Sequence, residues 1–264
     1  MTIDREQALK AFQAFVLEYD QSDEMIQLKI AHTYRVCSYC DEIAVNLGLS
    51  KDEKDCVWLS GLLHDVGRFE QIRKYHTFDD ADSIDHAKQS EHFIFGQGNI
   101  ISYIGEQNYI QMEHELMAIK DAILFHSIYE LPKSIQGQTL LFCNILRDAD
   151  KLDILHSIFS LPNGVDFSKK EKTFENEIIS ETVMQDIRQR KAVLRSHRKY
   201  PYDFYVAHIA LLFELIYPIS YEILERDVDI EKIFQVDVTN EDTIQKLNEI
   251  KEIILAHELQ KMKQ

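Results

Sequence analysis

Residues 50–67 read SKDEKDCVWLSGLLHDVG. Ser50 followed three residues later by Glu53 is a capping box: the hydroxyl covers the Glu53 amide while the Glu53 carboxylate reaches back to Ser50. From that start, Val57, Leu59, Leu62 and Leu63 carry a helix to the adjacent pair His64-Asp65, with Gly67 close to its end.

The pattern on either side is also helical. Residues 4–18 form a first helix, and 23–47 a longer second one, with Ile26, Ile30, Val36 and Ile43 at helical intervals before Gly48. The stretch HTFDDADSID, 76–85, is polar and acidic and suits a surface loop near the mouth of a site, after which a helix resumes at His86. Further helices span 113–127 and 139–160, separated by a loop containing Pro132 and Gly137. Residues 161–174 break the pattern, and helices follow over 176–193, 202–226 and 240–262, with Pro218 expected to kink the second of these. Only 8 glycines and 4 prolines in 264 residues agree with an all-α fold with little or no sheet. There is no internal repeat or low-complexity tract. A single helical domain over 1–264 is expected, with its core at about 20–160 and a helical C-terminal extension at about 175–264.

The formal charge of −16, from 45 acidic against 29 basic residues, argues against duplex nucleic acid or an anionic membrane as a partner. The opening MTIDREQALK lacks a basic segment followed by an apolar one, and no long apolar run occurs, so a cytoplasmic protein is expected. Cys37, Cys40, Cys56 and Cys143 are too few and too irregular for a disulfide framework. Cys37 and Cys40 form a CxxC inside a helix without a second pair, read as packing cysteines, with a redox or zinc role as the alternative.

Several polar residues fall on apolar helix faces. His126 follows Ile119, Ala122 and Ile123 at offsets of seven, four and three, and His32 has Leu28 and Val36 four residues to either side. Asp150 lies in line with Cys143, Leu146 and Ile154. A carboxylate there needs a cation or hydrogen-bond donors. Asp148 lines up with Asn144 and Leu152 and is less clearly inward, so Asp150 is preferred over it. Taken singly, each of these has a structural explanation as a hydrogen-bonded core residue.

The order of the set carries more than its members. His32, then His64-Asp65 in GLLHDVGRFE, His86 in DHAKQS, His126 in AILFHS and Asp150 in RDADKLD together resemble the HD-domain superfamily over about residues 25–160. The resemblance implies a helical bundle in which His32, His64, Asp65 and Asp150 hold one metal ion while His86 and His126 bind a second, with Asp65 bridging. Imidazole and carboxylate without thiolate suit Fe or Mn, with Ni, Co or Zn also compatible. Such a pair of ions suits hydrolysis of a nucleotide or other small phosphate ester. Asp65 would be central to catalysis, and Arg68 and Lys151 are the cations placed against the substrate phosphate. Two departures concern the second ion: Ser127 follows His126 where the family often has a second histidine, and Ser90 stands where it often has glycine.

Two other readings have different consequences. A minority of HD-fold proteins use a similar six-ligand di-iron centre as an oxygenase, and a non-catalytic nucleotide-binding module is a third possibility. Of the other histidines, His76 is a candidate for lining the entrance, while His92, His114, His156, His197, His208 and His257 are assigned to core or surface. The aromatic-rich segment 199–218 is read as packing in preference to a pocket wall. The HD core is expected to act alone or as a homo-oligomer.

Overall fold

The computed structural model describes residues 3–159, 178–234 and 238–262. Among the described residues there are helices and no strand, as the composition requires. The break expected at 161–174 lies outside them, as does the start of the helix expected at 176–193. The chain folds as two compact units, Met1–Asp150 and Lys151–Gln264.

In the first unit the helices are α1 (Arg5–Val16), α2 (Glu24–Asn46), α3 (Lys51–Leu63), α4 (Val66–Tyr75), α5 (His86–Glu91), α6 (Ile100–Ile104), α7 (Glu106–Gln111), α8 (Glu113–Phe125) and α9 (Gly137–Phe159), the last continuing into the second unit. Four of these starts follow the capping rules: Asp4, Asp23 and Asp85 accept backbone amides at α1, α2 and α5, and Ser50 and Glu53 form the expected box at α3, with Glu53 N donating to Ser50 Oγ at 3.3 Å and Ser50 N to Glu53 Oε2 at 3.0 Å. Helix α2 packs along α3, α3 and α5 pack on α8, and α4 packs on α5. Phe12, Ile43, Leu59, Leu62, Phe69 and Ile119 are fully buried between them.

Close approach of α2 and α3 depends on Gly61, where a Cβ would lie 3.2 Å from Cys40 Sγ. All four cysteines are buried in the free thiol form. Burial pushes Cys37 and Cys40 well up and Cys56 and Cys143 to about 12, so they pack as apolar side chains.

The apolar spacing carries the third helix through His64-Asp65 and puts Gly67 near its end. In the structure α3 stops at Leu63 and a separate helix begins at Val66, because Asp65 leaves helical geometry at φ −112°, ψ 14°. Gly67 therefore stands in the first turn of α4.

The second unit contains the helices Glu181–Arg188, Pro201–Ile209, Pro218–Asp227 and Glu241–Lys261. The helix expected over 202–226 is two helices: the chain tightens to a 3-10 turn at Ala210–Glu214 and becomes extended at Leu215 and Tyr217. Pro218 does not kink a continuing helix. It occupies the first position of a new one, where its missing N–H costs nothing. Within 199–218, Tyr202, Tyr205, Val206, Ile209, Leu212 and Phe213 are buried, which is the packing role. Among the described residues no helix is long and apolar enough to cross a membrane.

Candidate metal centre

Asp65 is the N-cap residue of α4, yet its side chain makes no cap hydrogen bond. Aspartate at this position ordinarily accepts a backbone amide. Here the break between α3 and α4 turns the carboxylate inward, among four imidazoles.

Oδ2 of Asp65 lies 3.4 Å from His32 Nε2 and 3.5 Å from His64 Nε2, while Oδ1 lies 3.5 Å from His86 Nε2 and 3.7 Å from His126 Nε2. Asp150 Oδ1 completes the first half, 3.3 Å from His32 Nε2 and 3.7 Å from His64 Nε2. His32 comes from the middle of α2, His64 from the end of α3, His86 from the start of α5, His126 from the end of α8 and Asp150 from α9. All four histidines are buried. The two sets His32, His64, Asp65 and Asp65, His86, His126 each bring their ligand atoms within 4.8 Å of one another.

The hydrogen bonds behind the rings decide which nitrogen is free. His64 Nδ1 is 2.8 Å from Gly61 O, and His126 Nδ1 is 2.7 Å from Ile123 O. A carbonyl only accepts, so these Nδ1 atoms carry the proton. His86 Nδ1 stands 2.6 Å from Asp80 Oδ2. Burial disfavours the Asp80 carboxylate, but His86 and Arg68 outweigh it and hold its pKa at about 2, so Asp80 also accepts. Burial lowers His86 to about 4, leaving it neutral near pH 7. The result is two Nε2 lone pairs, of His86 and His126, facing each other at 3.0 Å beside Asp65 Oδ1, a buried oxygen with no hydrogen-bond partner. Three acceptors converge with no hydrogen to share, an arrangement that costs free energy unless a cation lies among them. The donor set therefore fits a metal ion in the half that holds both departures from the family pattern. In the other half, burial raises Asp65 and Asp150, but Lys29 and the imidazoles at Asp65, and His32 and His64 at Asp150, outweigh it and keep both well below the usual carboxylate range.

Ser90 accounts for its own departure. Its Oγ accepts from Gly67 N at 2.8 Å and donates to His86 O at 2.9 Å, tying α4 to α5 beneath the ligand. The two backbones are so close that a Cβ on Gly67 would lie 2.4 Å from His86 O.

Arg68 stands beside the centre but is committed to the acidic loop. Its Nη1 donates to Gln71 Oε1, Phe78 O and Asp80 Oδ1 at 2.7, 2.7 and 2.8 Å, while its Nε, 3.7 Å from Asp65 Oδ1, is buried without a hydrogen-bond partner. Lys151 belongs to the second unit, where Nζ is 3.2 Å from Glu214 Oε2. His76 is exposed at the left-handed end of α4. Asp148 is fully buried, but Asp150 is the one that meets His32 and His64.

Three contributors were not singled out from sequence. Asp80 is one of four aspartates in a loop without periodicity. Arg147 is buried and its Nη1 donates to the carbonyls of Phe125, His126 and Ile128, holding the end of α8 on which His126 stands. Lys29 donates to Asp65 Oδ2 at 2.6 Å, and its place one helical turn before His32 was the available signal.

No curated protein and no solved structure matched the chain. The family model described as HD domain matches residues 30–155, a span that holds all six residues of the cluster. Proteins of this family are mostly metal-dependent hydrolases, and its domains bind divalent metals. Residues 30–155, helical and carrying the inward His-Asp pair, match the HD-domain family.

Proposed function

We propose that this protein is a metal-dependent phosphohydrolase acting on a nucleotide or other small phosphate ester. The observation that carries the reading is the convergence of His86 Nε2, His126 Nε2 and Asp65 Oδ1 as acceptors without a proton, opposite a matching group of His32, His64 and Asp150 on the other oxygen of Asp65. His32, His64, Asp65 and Asp150 would hold one divalent ion, and Asp65, His86 and His126 a second.

Such a pair supplies Lewis acidity that polarises a phosphoryl oxygen and acidifies water near neutral pH. The chain's own residues prepare the place. Asp65 gives one oxygen to each half. Asp80, gripped by Arg68 and by Gln71 Nε2 at 2.9 Å, fixes the His86 tautomer and makes its Nε2 a better donor of electrons. The unpartnered Nε of Arg68 adds a fixed positive group beside the carboxylate. Four imidazole and two carboxylate ligands would leave two divalent ions undercompensated, which favours an anionic ligand.

The test is hydrolysis of a panel of nucleotides and phosphate esters under anaerobic conditions by protein reconstituted with Mn²⁺, alongside Asp65→Asn. Phosphate release by the wild type and loss of at least a hundredfold in Asp65→Asn support the reading. No release from any ester by a fully loaded protein, together with dioxygen consumption by the iron form, would replace it with an oxygenase.

A further inference from the structure

Lys29 is drawn into the centre in a way the phosphohydrolase reading does not require. Its Nζ stands 2.6 Å from Asp65 Oδ2, the same oxygen that His32 Nε2 and His64 Nε2 approach at 3.4 and 3.5 Å. The side chain is only 12% exposed. An ammonium and a divalent ion at one oxygen repel strongly in so enclosed a place, so the two compete for Asp65.

We propose that Lys29 supplies the positive charge at Asp65 while the centre is empty and, when ions are bound, turns its ammonium to the phosphate of the substrate, favouring a dianionic phosphomonoester over a diester. This inference rests on the phosphohydrolase reading and assigns that site a substrate class.

The surroundings give the ammonium a way to leave. Lysine carries its charge on a flexible four-carbon stem, and its Nζ already lies over the Phe78 ring at 5.4 Å, an aromatic face that can hold the ammonium without a carboxylate. The Arg68 guanidinium lies 6.0 Å from the same ring, so two cations flank one aromatic side chain beside the carboxylate. The charge of Arg68 is answered by Asp80. Lys29 loses its counterion once Asp65 is shared between metal ions. With two ions bound against the carboxylates of Asp65 and Asp150, the centre carries an excess of two positive charges and Lys29 adds a third. A dianion gains more there than a monoanion.

The experiment compares wild type, Lys29→Gln and Lys29→Arg. Metal affinity of the metal-free proteins is measured by competition with a chromophoric chelator. Binding of inorganic phosphate, methyl phosphate and dimethyl phosphate to the Mn²⁺-loaded proteins is measured by calorimetry. Lys29→Gln is expected to bind metal about tenfold more tightly, because the competitor is gone, and phosphate and methyl phosphate about ten- to a hundredfold more weakly, with dimethyl phosphate nearly unchanged. Lys29→Arg, whose fork grips a carboxylate through two bonds, is expected to bind metal more weakly than wild type while keeping phosphate affinity within a few fold. Equal phosphate affinity in wild type and Lys29→Gln, or metal affinity unchanged in both variants, overturns the inference and leaves the phosphohydrolase reading standing. Loaded wild type that binds no phosphate at all overturns that reading as well.

Discussion

Replacing Gly67 by alanine sets two effects against each other. Gly67 is the second residue of α4, and helix propensity alone favours alanine by about 1 kcal/mol. The added Cβ, however, would stand 2.4 Å from His86 O, 2.7 Å from Ser90 N and 2.9 Å from Gln89 Cβ. The first two are backbone atoms of α5 and cannot rotate away, so α4 and α5 must separate. Overpacking of this kind costs about 1–3 kcal/mol, and contacts this short belong at the upper end. The hydrogen bond from Gly67 N to Ser90 Oγ weakens with the same movement. A net loss of about 2 kcal/mol is expected after the propensity gain, or a melting temperature lower by about 4–8 °C in a chain of this size. Because His86 opens α5, its imidazole moves with the helix, and the second equivalent of metal should bind more weakly than the first. Thermal unfolding of the metal-free proteins followed by circular dichroism checks the first effect, and metal titration of both checks the second. A Gly67→Ala protein as stable as wild type, binding both equivalents with wild-type affinity, would refute the packing argument.

Asp80→Asn keeps the shape of the side chain but removes the charge behind His86. Affinity for the second ion should fall about ten- to a hundredfold, with the first nearly unchanged, in a chelator-competition titration. Equal weakening of both ions would show that the loop acts on the whole centre. Arg147→Met removes the donor shared by the carbonyls of Phe125, His126 and Ile128, and chemical denaturation should show a loss of about 2–3 kcal/mol, with second-ion binding weakened because His126 ends α8. For pH, His86 has its folded pKa lowered from 6.5 to about 4, so the unfolded chain takes up this proton first. The stability of the metal-free protein should therefore be full above about pH 6.5 and decline as pH falls toward 4, with Asp80 adding a further loss below 3.8 as it approaches about 2. A denaturation midpoint flat between pH 7 and 4.5 would contradict the neutral, buried imidazole.

Much of this was legible because periodic features carry it. The Ser50-Glu53 box places the start of α3, the apolar spacing places α2, α8 and α9 within a residue or two of their observed bounds, and the inward faces of His32 and His126 follow from offsets of three and four, whereas Asp148, read as less inward than Asp150, is the more buried of the two. The break at Asp65 was not legible, since Val66 and Gly67 continue an acceptable helical composition and only the tertiary demand for an inward carboxylate separates α3 from α4. Asp80 sits in a loop, where no repeat tells one acid from the next. Arg147 shows the same limit. Its sequence neighbours Asp148 and Asp150 stand out as candidate ligands, while its own role, donating to three carbonyls at and just past the end of α8, exists only once α9 meets that end. Ser90 looked like a departure at a glycine position, and its hydroxyl proves to bind both backbones that the glycine of Gly67 lets approach. Pro218 follows an extended Leu215–Tyr217 connection that no local signal distinguished from a kinked helix.

Asp65 is proposed to lie between two ion sites, one made with His32, His64 and Asp150 and the other with His86 and His126. Elemental analysis of protein purified without chelator and then saturated with Mn²⁺, beside the double variant His86→Ala/His126→Ala, tests it most directly. Two equivalents are expected in the wild type and one in the variant, with both proteins folded. Two equivalents in both, or fewer than one in the saturated wild type, would contradict it.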